Sequence, residues 1–175
     1  RDGREEYDEQ RIPGAVFFDI DEISDDASAL PHTMPPAEKF SSRMRKMGIG
    51  DGMRVVVYDG AGLFSAARVW WMFRTFGHTD VAILDGGFPK WLAEDRPVET
   101  MPPSMRQQRH FTARFAASNV RDKADVLRAI ETGSAQLADA RSPGRFTAKE
   151  PEPRQGMRGG HMPGAANVHY RTLLN

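Results

Sequence analysis

The chain has 175 residues, 39% of them apolar, which suits one domain or two small ones with a real core. Its 24 basic and 24 acidic residues give a net charge of zero, which argues against a general nucleic-acid-binding protein. The absence of cysteine excludes disulfides, thiolate metal sites and a thiol nucleophile within these residues. No apolar run approaches the roughly 18 residues of a membrane span, so we expect no membrane partner and a cytoplasmic location.

Strand and helix patterns alternate through the first half of the chain. Predicted strands cover 15–18, 54–58 and 81–84, and predicted helices start at Pro36, cover 63–76 and follow the turn at 85–87. Strand, helix and strand in this order indicate a βαβ unit with parallel pairing. The fold class is therefore α/β, with a parallel sheet flanked by helices.

A tight glycine turn, Asp59-Gly60-Ala61-Gly62, joins the second predicted strand to the next helix. Backbone N–H groups at a helix N-terminus favour an anion, so this turn predicts an anion-binding shape. The pattern lacks the third glycine of a dinucleotide fingerprint and the Gly-Lys-Ser/Thr of a phosphate loop. A nucleotide site is therefore disfavoured.

The second half begins with a segment of little periodicity, Thr100–Ala117, which we interpret as an interdomain linker. A helix over 119–132 is expected next, with four residues facing inward: Val120, Ala124, Leu127 and Ile130. Predicted strands at 136–140 and 165–169 flank a polar loop.

An internal repeat suggests the domain organisation. Arg11-Ile12-Pro13-Gly14-Ala15 recurs as His161-Met162-Pro163-Gly164-Ala165, and each copy precedes a predicted strand. Two tandem copies of one α/β unit are expected, divided into 1–99, a linker at 100–117, and 118–175. By this alignment the first strand of the first domain and the second anion turn lie outside these residues, so both domains are expected to be incomplete here.

The motifs resemble those of the tandem-domain rhodanese family of sulfurtransferases. In the first half the resemblance is carried by RIPGAVFFDID, YDGAGLFSAARVWWMFRTFGH and LDGGFPKW, and in the second half by DARSPGRF, PEPR and GHMPGA. It covers nearly the whole chain. It implies a two-step transfer in which a cysteine of the second domain takes sulfur as a persulfide. No metal or organic cofactor is implied.

The resemblance places Asp59 where the catalytic domain has its cysteine. A carboxylate there cannot accept a sulfane sulfur and would repel an anionic substrate. The first anion turn is therefore expected to be an inactive copy with a structural role.

Four residues match substrate-handling positions of the family. Arg145 and Arg154 match arginines that hold the mercaptopyruvate carboxylate, a role suited to permanently charged guanidinium groups. His32 and Asp21 match a histidine and an aspartate that are proposed to help protonate the leaving pyruvate enolate. They act with a serine that is not among these residues. His32 favours 3-mercaptopyruvate over thiosulfate as the sulfur donor.

Alternatives stay open at each of these positions. The arginines could be loop residues on a solvated face, His32 a surface histidine, and Asp21 or its neighbour Asp19 a local cap. His161 and His169 have no acidic cluster near them in sequence, so no metal site is expected. The rival functions are a thiosulfate sulfurtransferase, a rhodanese-like binding module without a nucleophile and, more distantly, a phosphatase on a related fold. A thiol acceptor such as thioredoxin, or cyanide, would receive the sulfur.

Overall fold

The computed structural model describes residues 2–154 and 156–174, and the chain divides after Asn119 into two units. The first unit runs through these elements in order: α1 Gly3–Glu9, α2 Ala37–Lys46, β1 Val55–Val57, α3 Ala66–Thr75, β2 Val81–Ile83 and α4 Gly87–Ala93. A 3₁₀ turn at Ala117–Asn119 ends it. Within the described ranges, every helix is too short or too polar to cross a membrane.

The two strands of the first unit form a parallel pair. Val55 lies opposite Val81 and Val57 opposite Ile83, and α3 connects the two strands. Parallel strands need a crossover of this kind, because a tight hairpin cannot join them. The βαβ unit predicted from the sequence is therefore confirmed, with strands shorter than expected.

Aromatic side chains dominate the core of the first unit. Phe40 of α2 stacks on Phe76 with 4.3 Å between the ring centroids, and it meets Phe73 of α3 edge-on at 5.4 Å. Met44 lies on the same face of α2 as Phe40, as its spacing predicts, and is also buried. Each fully buried side chain of this size contributes about 1.5–3 kcal/mol.

The second half of the segment interpreted as a linker, 100–117, packs into this core. Phe111 is 1% exposed, and its ring lies 5.8 Å from that of Phe40. The backbone N–H of Arg114 donates to the carbonyl of Phe76 at 2.9 Å, which fixes the segment against the end of α3. Such a segment has no helical or strand periodicity to reveal its burial. Met105, in the first half, is fully exposed.

Two expectations for the first unit are wrong in detail. Residues 15–18 form no strand, because no described strand lies beside them, although Val16 and Phe18 still pack against the core. The helix expected over 63–76 begins only at Ala66, since the preceding residues turn around the side chain of Asp59.

The second unit has few elements and little buried surface. In order they are α5 Lys123–Thr132, β3 Ala138–Asp139, α6 Pro143–Phe146, β4 Ala166–Asn167 and a 3₁₀ turn at Tyr170–Leu173. The strands β3 and β4 pair in parallel, with Ala138 opposite Ala166. No residue described in this unit is fully buried.

The helix α5 differs from its prediction at its start and on its apolar face. It begins at Lys123 rather than near 119, because Asp122 and Asp125 form a reciprocal capping box there. It ends at Thr132, as predicted, and the following Gly133 caps it with a φ of 64°. Leu127, expected to face inward, is 48% exposed, since no layer of the described second unit covers it.

The sequence repeat corresponds to a repeated turn. In the first copy the N–H of Ala15 donates to the carbonyl of Ile12 at 3.0 Å, and Gly14 has a φ of 72°. In the second copy the N–H of Ala165 donates to the carbonyl of Met162 at 3.1 Å, and the intervening glycine has a φ of 76°. A positive φ after proline is typical of a type II turn and requires glycine.

Candidate active site

The carboxylate of Asp59 is enclosed by the turn between β1 and α3. Its Oδ2 accepts hydrogen bonds from the backbone N–H groups of Phe64, Ser65 and Ala66 at 2.6, 2.8 and 2.9 Å. Its Oδ1 accepts one from the N–H of Ala61 at 3.0 Å. Donors at a helix start otherwise lack partners within the helix. The predicted anion-binding turn is therefore present, and it holds the chain's own carboxylate.

The charge of Asp59 is stabilised by these donors. Burial acts to raise the pKa of Asp59, but the backbone N–H groups, led by Ala66, outweigh burial and lower the pKa below its ordinary value. The side chain is thus a stable anion that fills the turn. It leaves no place for a second anion and offers no nucleophilic sulfur.

The Gly-Gly pair of the LDGGF motif closes this turn from the other side. A Cβ on Gly87 would come within 2.8 Å of the carbonyl oxygen of Asp59, and Gly87 has a φ of 56°. The N–H of the next residue, Phe88, donates to that same oxygen at 3.0 Å. Only glycine permits this approach, so the motif is explained by packing.

His32 and Asp21 are brought together, as expected if they act as a pair. Nε2 of His32 lies 2.8 Å from Oδ1 of Asp21, and both side chains are substantially exposed. The local cap is the neighbouring Asp19, which accepts the backbone N–H groups of Asp21 and Glu22. Asp21 is therefore available to orient the imidazole.

Arg145 is held by a glutamate that sequence reasoning missed. Its Nε and Nη2 donate to Oε2 of Glu152 at 3.1 and 2.6 Å. Nη1 of Arg141 donates to the other oxygen, Oε1, at 2.6 Å, and Arg141 also pairs with Asp139. The Glu152 side chain is only 2% exposed. We call these four residues the acid–base quartet: Asp139, Arg141, Arg145 and Glu152.

Charge pairing in the acid–base quartet lowers the pKa values of its two carboxyl groups. The Arg145 hydrogen bond, opposed by desolvation, holds the pKa of Glu152 below its usual range. The Arg141 hydrogen bond does the same for the pKa of Asp139. The quartet carries two positive and two negative charges, so its net charge is zero. The alternation of acidic and basic residues in DARSPGRF and PEPR was the signal that could have revealed it.

Arg154, unlike Arg145, is exposed and has no described ion-pair partner. Its side chain is exposed, and no hydrogen bond or ion pair to it occurs within residues 2–154 and 156–174. Glu152, two positions earlier, ties the PEPR segment to Arg145. Arg154 therefore carries a positive charge that no described acidic side chain pairs with, while Arg145 is fixed in direction.

The histidines of the second unit have ordinary structural contacts. His161 stacks on Phe146 with 3.7 Å between the rings, and its Nδ1 lies 2.9 Å from the carbonyl oxygen of Phe146. His169 meets Tyr170 edge-on. In the part of the chain that the structure describes, no cluster of three or more His, Cys, Asp or Glu side chains could hold a metal ion.

Comparison with known protein families identifies the fold of the first unit. The model of the rhodanese-like domain matches residues 2–94, more than half of the chain. The chain belongs to the rhodanese-like family. The resemblance seen in the sequence motifs is thereby confirmed, and the rhodanese fold accounts for the parallel strands and flanking helices.

Relatives of this rhodanese-like chain are sulfurtransferases by name. It is 42% identical to a 3-mercaptopyruvate sulfurtransferase of Rattus norvegicus, over 99% of this chain and 59% of the relative. It is 41% identical to a thiosulfate sulfurtransferase of Cricetulus griseus, over the same shares. The crystal structure of SseA from Escherichia coli, described as a 3-mercaptopyruvate sulfotransferase, superposes with a TM-score of 0.90 at 41% identity. That match covers 100% of this chain and 65% of SseA.

The rhodanese-like chain thus spans about three fifths of the length of the curated relatives it matches. Identities of 42% and 41% do not separate the two classes of sulfurtransferase.

Proposed function

We propose that these residues belong to a tandem-domain sulfurtransferase that takes sulfur from 3-mercaptopyruvate. The observation that carries the proposal is 42% identity to a 3-mercaptopyruvate sulfurtransferase along 99% of the chain. The repeated Pro-Gly turn, with nearly equal glycine φ angles of 72° and 76°, supports the tandem arrangement. The catalytic cysteine is not among these residues, since the chain has none.

The proposed reaction has two covalent steps. A cysteine thiolate attacks the sulfur of 3-mercaptopyruvate, the carbon–sulfur bond breaks, and pyruvate leaves as its enolate. A proton added to the enolate carbon gives pyruvate. The enzyme persulfide then passes its outer sulfur to a thiol, such as that of thioredoxin, or to cyanide.

Arg145 and Arg154 are proposed to bind the substrate carboxylate. Arg145 is held in direction by Glu152, while exposed Arg154 adds net positive charge. A guanidinium group matches a carboxylate in geometry and keeps its charge at all relevant pH values. Charge from Arg154 strengthens binding, and a fixed Arg145 sets the orientation of the substrate.

His32 is proposed to assist protonation of the pyruvate enolate, with Asp21 orienting its ring. The supporting observation is the 2.8 Å contact between Nε2 of His32 and Oδ1 of Asp21. An imidazole can give and take a proton near neutral pH, and a carboxylate partner fixes which ring nitrogen carries it. A general acid of this kind contributes about 10²–10⁴-fold to a rate.

A thiosulfate sulfurtransferase is the second candidate, favoured by 41% identity to an enzyme of that name. Thiosulfate lacks a carboxylate and an enolate, so it does not need the roles assigned to Arg145 and His32. A catalytically inactive binding module is the third candidate, and it predicts no sulfur transfer by the full-length protein.

Mass spectrometry of the full-length protein tests the proposal. After incubation with 3-mercaptopyruvate, we expect one cysteine to gain the mass of one sulfur atom, with pyruvate released. Arg154→Ala should raise KM for 3-mercaptopyruvate about tenfold, as expected for a lost charged contact, while Arg158→Ala, another exposed arginine of the same loop, should not. No persulfide with either donor would refute the enzyme proposal, and equal KM values in the two variants would refute the role of Arg154.

A further inference from the structure

Arg68 links the filled anion turn to the loop that carries His32. It lies in the first turn of α3, directly after the residues that enclose Asp59. Its Nη2 donates to the backbone carbonyl oxygen of His32 at 2.6 Å. Its guanidinium carbon lies 4.8 Å from the centre of the Trp71 ring. The contact to His32 joins segments 36 residues apart in sequence.

The surroundings of Arg68 disfavour its positive charge. Burial lowers the pKa of Arg68, and its Nε is buried with no hydrogen-bond partner among the described residues. A cation near a helix N-terminus is also disfavoured by the helix dipole. Buried charged and polar groups normally have partners that offset these costs. Here the partners are the Trp71 ring and the carbonyl of His32.

His32 has a backbone conformation that needs support. Its φ is 58°, in the left-handed region that residues with a side chain rarely adopt. Such a conformation persists where surrounding contacts determine it, and it is common at functional sites. Two contacts hold His32 in this conformation: Arg68 donates to its carbonyl oxygen, and Asp21 contacts its ring.

We propose that Arg68 is a positioning residue that holds His32 in its left-handed conformation and so directs its imidazole. Asp59 fixes the start of α3 and therefore the place of Arg68. The filled anion turn of the first unit then has a use in catalysis although it carries no cysteine. The effect on turnover rests on the role proposed for His32, whereas the effect on backbone conformation does not.

The conformational part is tested by NMR on the 175-residue chain. A residue with positive φ gives a strong cross-relaxation signal between its own amide and α protons. We expect this signal at His32 in the unaltered chain, its loss in Arg68→Met and its retention in Arg68→Lys, which can still donate to the carbonyl. Arg74→Met is the matched control, because Arg74 lies over Trp70 at 5.2 Å on the same helix without contacting His32. An unchanged signal in Arg68→Met would overturn the proposal.

Kinetics of the full-length protein test the catalytic part. Arg68→Met should lower kcat with 3-mercaptopyruvate about tenfold with little change in KM, since small misplacements of a reacting group are costly. It should have no further effect in a His32→Ala background. Full kcat in Arg68→Met, where His32→Ala is impaired, would overturn the positioning role. If His32→Ala is itself fully active, the role of His32 fails, while loss of the NMR signal still supports the contact.

Discussion

A single carboxylate oxygen of Glu152, Oε2, accepts hydrogen bonds from both Nε and Nη2 of Arg145. The other oxygen accepts from Arg141, and the side chain of Glu152 is 2% exposed. One edge of the Arg145 guanidinium is therefore committed within the protein. Under the proposed function, its remaining nitrogen, Nη1, is the group that contacts the substrate carboxylate.

Glu152→Gln tests whether this relationship positions Arg145. The amide keeps the size of the side chain but removes its charge, so Arg145 loses its ion pair. In the full-length protein we expect KM for 3-mercaptopyruvate to rise about tenfold, or 1.4 kcal/mol. Glu150→Gln is the matched control, because exposed Glu150 accepts from Ser142 and makes no described hydrogen bond or ion pair with the Arg145 guanidinium. A lower KM in Glu152→Gln would show instead that the negative charge weakens substrate binding.

Asp59→Ala tests the structural role of the filled turn. The change removes the acceptor of four backbone N–H groups, one in the turn at Ala61 and three around the start of α3. We expect a loss of about 2 kcal/mol in unfolding free energy, the upper range for a helix cap. Urea unfolding followed by tryptophan fluorescence measures it, because all three tryptophans lie in the first unit.

Asp85→Ala is the control for that substitution. Asp85 is an exposed aspartate that pairs with Lys90 across the surface, so its removal should leave the urea midpoint nearly unchanged. Equal midpoints for the Asp59 and Asp85 variants would contradict the structural role of the turn.

The carboxylate of Asp59 should also make the folding stability of the chain depend on pH. The pKa of Asp59 is lower in the folded chain than in the unfolded chain, where it is about 3.9. Its contribution is therefore fully present above about pH 4 and is lost as the pH falls through the folded pKa. The stability difference between the unaltered chain and Asp59→Asn should be constant above about pH 5 and should shrink as the pH falls below about 4. A difference that stays constant would contradict the lowered pKa.

Phe111→Ala tests whether the segment after residue 100 belongs to the first unit. Phe111 is 1% exposed and packs against Phe40 and Phe73, so its truncation should cost about 3–5 kcal/mol. Met105→Ala, in the same segment, changes a fully exposed side chain and should cost almost nothing. If both variants unfold at the same urea concentration, the segment is a linker as the sequence suggested.

Local patterns were enough to predict the elements that surround the anion turn. The helix after Pro36, the strand–turn–helix at Asp59 and the end of α5 at Thr132 follow from local spacing and from the turn glycines. His32 and Asp21 were paired through a family resemblance, since nothing in their spacing of eleven residues requires contact.

Features that depend on distant partners could not be predicted in this way. Residues 15–18 have strand-like composition but no described partner strand, and Phe111 is buried by a segment without periodicity. The contacts of Glu152 arise within a polar loop, where ion pairs leave no regular sequence pattern. The hydrogen bond from Arg68 to His32 likewise joins residues 36 positions apart in sequence.

The most direct test of the account is the donor preference of the full-length protein. We would measure kcat/KM for pyruvate release from 3-mercaptopyruvate and for sulfite release from thiosulfate under one set of conditions. The roles of His32, Arg145 and Arg154 predict a clearly higher value for 3-mercaptopyruvate. An equal or higher value for thiosulfate would contradict them.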